Sequence, residues 1–134
     1  MQESDIRFLN VDLDLHLESG LTKLLEYFEQ SVVVLHRTGP SASIELGANY
    51  ESLEDTITNY MTLVESLSPA AKDLWNKCTV RCMNIDLQGG MKPRSAAFTL
   101  SHRSISNLSA VGCSIEITVY APLPNATTRA KRSD

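Results

Sequence analysis

Asp12, Asp14, His16 and Glu18 alternate with Val11, Leu13, Leu15 and Leu17, so in an extended chain the four polar side chains share one face. Carboxylates beside an imidazole are the donor set of a divalent-cation site or of a hydrolytic centre. Glu116, in a second alternating segment, joins them if the first and last strands are neighbours. A distance stands against this chemistry: successive same-face side chains on a strand are roughly 7 Å apart, too far to share one ion without donors from other strands. The pattern reads first as a solvated face that keeps an open sheet in solution, and no metal is assigned to it. Uncovered and negative, the same five residues suit contact with a basic protein partner.

Cys78 and Cys82 stand four apart, but no second cysteine pair and no histidine at zinc-finger spacing accompanies them. Cys113 follows Gly112 and reads as a small core residue. A nucleophilic cysteine needs a base at hand, and nothing in the spacing ties His36 or His102 to one. Gly89-Gly90 with Lys92 and Arg94 invites comparison with phosphate-binding loops, yet lacks both the P-loop and the dinucleotide arrangement and reads as a flexible connection. Trp75 and Tyr60 fall on helical faces as core aromatics, with Tyr27 at the edge of an apolar stripe. No catalytic residue, cofactor or metal is assigned. The alternative is an enzyme or sensor for a small molecule or metal, built from His16, Asp14 and Glu116 or from the loop at residues 89–94.

These residues need elements to hold them. The alternation at residues 11–17 predicts the first strand, which Ser19-Gly20 breaks. Leu21, Leu24, Leu25 and Phe28 then fall on one stripe of a helix ending near Gln30. Val32-Val33-Val34-Leu35 predicts a deeply buried strand, and the turn around Gly39-Pro40 leads to Ser43-Ile44-Glu45-Leu46 as the second half of a hairpin. Ser52 with Asp55 three residues on caps the longest helix, through Leu53, Ile57, Tyr60, Met61, Val64 and Leu67. Ser68-Pro69 opens a shorter one carrying Leu74, Trp75 and Cys78. Met83, Ile85 and Leu87 alternate with Asn84, Asp86 and Gln88 as a further strand. Ser101 caps a last helix with Ile105, Leu108 and Val111 at helical spacing, Gly112 stops it, and Ser114-Ile115-Glu116-Ile117-Thr118-Val119-Tyr120 is the final strand. The order spells an α+β, ferredoxin-like split β-α-β sandwich extended by a C-terminal helix and strand, with helices on one face of a mostly antiparallel sheet.

A chain of 134 residues has room for one domain with its own core, expected over residues 1–122, with residues 123–134 as a flexible tail. Three cysteines cannot all pair, so reduced thiols are expected. No apolar run approaches the roughly 20 residues of a membrane span, and the acidic start lacks the pattern of a secretory signal, which points to the cytoplasm. The net charge of -4 hides an asymmetry: Arg129, Lys131 and Arg132 against Asp134 give residues 121–134 a charge of +2, leaving -6 on residues 1–120. An acidic body argues against wrapping a nucleic-acid backbone.

Trp75, the segment Asn84-Ile85-Asp86-Leu87-Gln88-Gly89-Gly90, and the run from Leu100-Ser101 through Leu108 and Gly112 to Ile115-Glu116-Ile117-Thr118-Val119-Tyr120 resemble small bacterial proteins of an uncharacterised domain family. The likeness covers about the last half of the chain. It implies a ferredoxin-like α+β domain, and comparable small domains that act as immunity or antitoxin proteins imply protein binding without catalysis. The expectation is therefore a non-enzymatic binding module that engages a protein partner through its acidic sheet face or an edge strand. A basic toxin is the most specific partner and homodimerisation the simplest version.

Overall fold

A computed structural model describes residues 5–122, and in it Val11, Leu13, Leu15 and Leu17 all point inward, each at most 3% exposed. They belong to β1 (Arg7–His16) and the residue just after it. The other elements follow as α1 (Leu21–Phe28), β2 (Val32–Thr38), β3 (Ser41–Leu46), α2 (Leu53–Glu65), α3 (Pro69–Lys77), β4 (Val80–Gln88), α4 (His102–Ala110) and β5 (Ser114–Tyr120). The expected tail at 123–134 lies outside the described residues. No helix among the described residues is long and apolar enough to cross a membrane.

The five strands form one sheet in the order β2-β3-β1-β4-β5, antiparallel at every junction except the parallel pair β4 and β5. Parallel neighbours cannot be joined by a tight turn, so the chain between them makes a long crossover that contains α4. All four helices send their apolar stripes into the cluster that holds Val11, Leu13, Leu15 and Ile44. They therefore lie on one face of the sheet, and the fold is α+β.

Hydrogen bonds at fixed points seat the helices. Tyr60 of α2 is fully buried and its hydroxyl donates to the carbonyls of Val11, at 2.7 Å, and Ile44, at 3.3 Å. Trp75 of α3 meets Phe28 of α1 edge to face, with ring centroids 6.3 Å apart, and its indole N–H donates to Val111 O beyond α4. Arg81 reaches from β4 to the carbonyls of Trp75, Cys78 and Gly112. One guanidinium thus caps the end of α3 and holds the turn after α4, where Gly112 has φ +74°. The loop at residues 89–94, expected to be flexible, is pinned at two points: Gly89 N donates to Tyr120 O and Lys92 O accepts from Ile6 N.

Two expectations change. The run Val32-Val33-Val34-Leu35 is not deeply buried: β2 is an edge strand, and Val33, Val34 and Leu35 are between 45% and 48% exposed. An apolar run marks burial only where neighbours stand on both sides, and the run alone does not say how many neighbours it has. The first and last strands are not neighbours either, because β4 takes the place beside β1 and β5 pairs outside it.

The caps follow their sequence signals. Asp55 N donates to Ser52 Oγ, Ala71 N to Ser68 Oγ and Ser104 N to Ser101 Oγ. Glu54, in the first turn of α2, adds a tie that the periodicities do not announce, accepting from Ser101 N at 2.8 Å, Ser101 Oγ at 2.7 Å and Ser104 Oγ at 2.8 Å. The Ser101 backbone N–H, followed by the two hydroxyls, holds this carboxyl below the ordinary glutamate value of 4.5. A depressed folded value means that the carboxylate contributes its full stability above pH 4.5 and loses it as the pH falls through the folded value. Glu54→Gln is expected to lower the unfolding free energy at pH 7 by less than about 1 kcal/mol, solvent screening reducing the worth of bonds to so exposed a carboxylate, with the gap to the parent closing below pH 4.5. Urea titrations followed through Trp75, the single tryptophan, measure it, and a gap unchanged at low pH would exclude the charge as its source.

Candidate functional site

The helices leave the other face of the sheet open, and the strand register decides which side chains meet there. Directly opposed residues share a face. Asn10, Asp12 and Asp14 of β1 stand opposite Asp86, Asn84 and Cys82 of β4, while Asp14 and His16 stand opposite Ser43 and Ser41 of β3. On the far side of β4, Glu116 stands opposite Asn84 and Thr118 opposite Asp86. Glu45, two residues beyond Ser43, completes the set and accepts from Asn10 Nδ2 at 2.6 Å.

Of the residues singled out from sequence, Asp12, Asp14 and His16 are thus on one face and half-buried, with Glu18 exposed just past the strand. Asp14 Oδ1 accepts from Ser43 Oγ at 2.6 Å, His16 Nδ1 is 2.7 Å from Ser41 Oγ, and His16 Nε2 is 3.3 Å from Glu18. Among the described residues no lysine or arginine forms an ion pair with a carboxylate. Glu116 shares the face but sits two strands from β1, so it does not join Asp12 and Asp14 as neighbours. Among the described residues no group of three His, Cys, Asp or Glu side chains is arranged to hold a metal ion.

Sequence reasoning missed the residue that matters most to the electrostatics. Asp86 is only 7% exposed, and its Oδ1 is buried without a hydrogen-bond partner among protein donors. Its neighbour on the diagonal is Asp12, and the two carboxyls are within hydrogen-bonding reach of each other. Two ionised carboxylates this close repel, so the pair is driven to hold a proton to a higher pH than an isolated carboxyl would. Partial burial, then the hydrogen bond and charge of Asp86, then the charge of Asp14 push the Asp12 carboxyl up to about 7. Burial first, with the charge of Asp14, raises Asp86 as well. The available signal was the alternation in β4, which puts Asp86 on the polar side with Asn84. Only the register sets it beside Asp12.

The remaining candidates separate. Cys78 is buried at the end of α3 and its thiol is raised, burial outweighing nearby Arg81. Cys82 lies on the open face, raised by burial and then by the charges of Asp14 and Glu116. Burial pushes Cys113 up to about 12. All three therefore stay as thiols at neutral pH, the unreactive form. Two surface hollows lie elsewhere, one lined by Gln30, Tyr50 and Asn59, the other by Phe8, Glu51 and Phe98. Comparison with protein-family models, with curated proteins and with solved structures finds no match.

A carboxyl pair that holds its proton more tightly in the folded state contributes stability below the unfolded value of 3.8 and loses it as the pH rises through about 7. Asp12→Asn places a permanent N–H donor where the shared proton was. The stability of this variant relative to the parent is expected to grow between pH 5 and pH 8, by about 1 kcal/mol once solvent screening is allowed for. Paired urea titrations at the two pH values read this difference, and no change between them would mean that no proton is shared.

Proposed function

We propose that the chain is a non-enzymatic protein-binding module that receives a basic partner on the open face of a ferredoxin-like sheet. One observation carries the reading. Asp12, Asp14, Glu45, Asp86 and Glu116 share an uncovered face, and none of them is paired with a lysine or arginine among the described residues. A surface whose carboxylates meet no lysine or arginine steers and orients a partner of the opposite sign. The strand order β4-β1-β3-β2, antiparallel throughout, supports the split β-α-β arrangement. The most specific form is an immunity-type protein that covers a basic toxin, the role suggested by the family resemblance of its second half.

Face-to-face self-association through the same surface is disfavoured, since it would oppose like charges. A second reading, a small-ligand site or acid–base centre, draws on the shared proton of Asp12 and Asp86. It predicts a specific thermal shift with some metal ion or metabolite, because a ligand that binds only the folded state stabilises it.

The test of the main reading uses the ¹⁵N-labelled chain titrated with a hexa-arginine peptide. Amide shifts are expected along the open-face residues of β1, β3, β4 and β5, with affinity falling at least tenfold between about 50 mM and about 500 mM salt. Replacing Asp14 by Asn together with Glu116 by Gln should weaken binding several-fold at low salt and little at high salt. Shifts confined to other surfaces, or an affinity indifferent to salt, would refute a binding face built on these carboxylates.

A further inference from the structure

Among the described residues β5 closes the sheet on its side, with β4 as its one neighbour. Its helix-side residues Ile115, Ile117 and Val119 are 42%, 62% and 62% exposed, and Ile105 of α4, on the same side of the sheet, is 50% exposed. Tyr120 adds an exposed aromatic at the strand end. Soluble chains blunt such edges with lysine, proline or a bulge. β5 has none: its register with β4 runs unbroken over seven residues, and its single charge is Glu116. The opposite edge, β2, is interrupted by a register shift between Val34 and His36 and carries Arg37. Both edges expose aliphatic side chains, but the bulge and Arg37 interrupt β2 whereas β5 runs unbroken.

We propose that a second copy of this chain occupies the β5 edge, the two β5 strands pairing antiparallel about a two-fold axis at Ile117. A two-fold interface must complement itself, and this register does so on both faces. Ile115 meets the partner's Val119 and Ile117 meets its own copy on the apolar side, while Glu116 meets the partner's Thr118 on the polar side. Centring on Glu116 would set two carboxylates against each other. Centring on Thr118 would push Ser114 against Pro122, which has no N–H to give. Ile117 alone pairs all seven residues of β5 without opposing like charges.

The area is adequate for association. Each half-exposed aliphatic side chain offers about 50 Å² and Tyr120 about 100 Å², so the two copies together bury about 600 Å² of apolar surface. At the usual apolar share this corresponds to about 1,000 Å² in all, the lower bound of specific interfaces. The dimer is therefore concentration-dependent. It joins two sheets into one of ten strands, and both acidic faces remain open.

Sedimentation of the full chain from about 10 µM to about 1 mM spans the weak range expected of so small an interface. The mass is expected to rise from 14.8 kDa towards twice that value. Ile117→Lys, at a site that is mostly exposed, is expected to stay monomeric throughout and to unfold at the parent's urea midpoint, which separates lost pairing from misfolding. Ile117→Cys is expected to cross-link to its own copy under mild oxidation, the 117–117 linkage being identified by peptide mass. Ile115→Cys alone is not, since its copies stand about 14 Å apart in this register. A parent chain that stays monomeric at about 1 mM, a dimer indifferent to Ile117→Lys, or cross-linking of Ile115→Cys equal to that of Ile117→Cys would each overturn the proposal.

Discussion

β1 is hydrogen-bonded along both of its edges, to β3 on one side and β4 on the other, and the rest of the molecule depends on that double pairing. A strand held on both sides cannot slip by one residue without turning its whole dry face into water. Val11, Leu13 and Leu15 lock the register from one side through the core cluster. Asp12, Asp14 and His16 are then placed on the other side with no freedom of their own. The acidic face is the reverse of the hydrophobic core, fixed by the same pleat.

The open face follows a consistent electrostatic pattern. Polar neighbours donate to two of its carboxylates, Ser43 to Asp14 and Asn10 to Glu45, while Thr118 bonds Asn84. Neutral donors meet the hydrogen-bonding demand without cancelling charge. At Asp86 burial removes water and no protein donor reaches Oδ1, and both it and Asp12 are raised above the ordinary carboxylate value. A carboxyl raised to about 7 is partly protonated near neutral pH, which lowers the self-repulsion of the face.

Local signals were enough for most of the fold. Serines at 52, 68 and 101, proline at 69 and glycine at 112 act within one turn of chain, and all five appear in the structure doing what their chemistry dictates. The polar face of β1 was equally legible, because period 2 is a property of the strand itself. The burial of β2 and the neighbour of β5 were not, since both depend on the order of strands across the sheet. Asp86 falls between these cases: its side of β4 could be read from alternation, but its contact with Asp12 belongs to the pairing of residues some seventy positions apart. Glu54 was hidden for the same reason, a first-turn carboxylate whose partners lie on another helix.

The C-terminal helix and strand are attached differently from the rest. α4 buries only Ser104 and Leu108, and no residue of β5 is buried. Apolar packing therefore contributes little to holding this unit on. The attachment is made by polar bonds: Glu54 to Ser101 and Ser104, Arg81 to Gly112, Trp75 to Val111, Gln88 to the carbonyl of Ala121, and the β4 ladder. Gly89 is part of the same arrangement, since a Cβ there would stand 2.8 Å from the Tyr120 carbonyl. Ile105, Ile115, Ile117 and Val119 are each buried only in part, between 42% and 62% exposed. Four large β-branched side chains kept partly at the surface, on an element also secured by polar bonds, are the feature on which the proposed pairing of two copies rests.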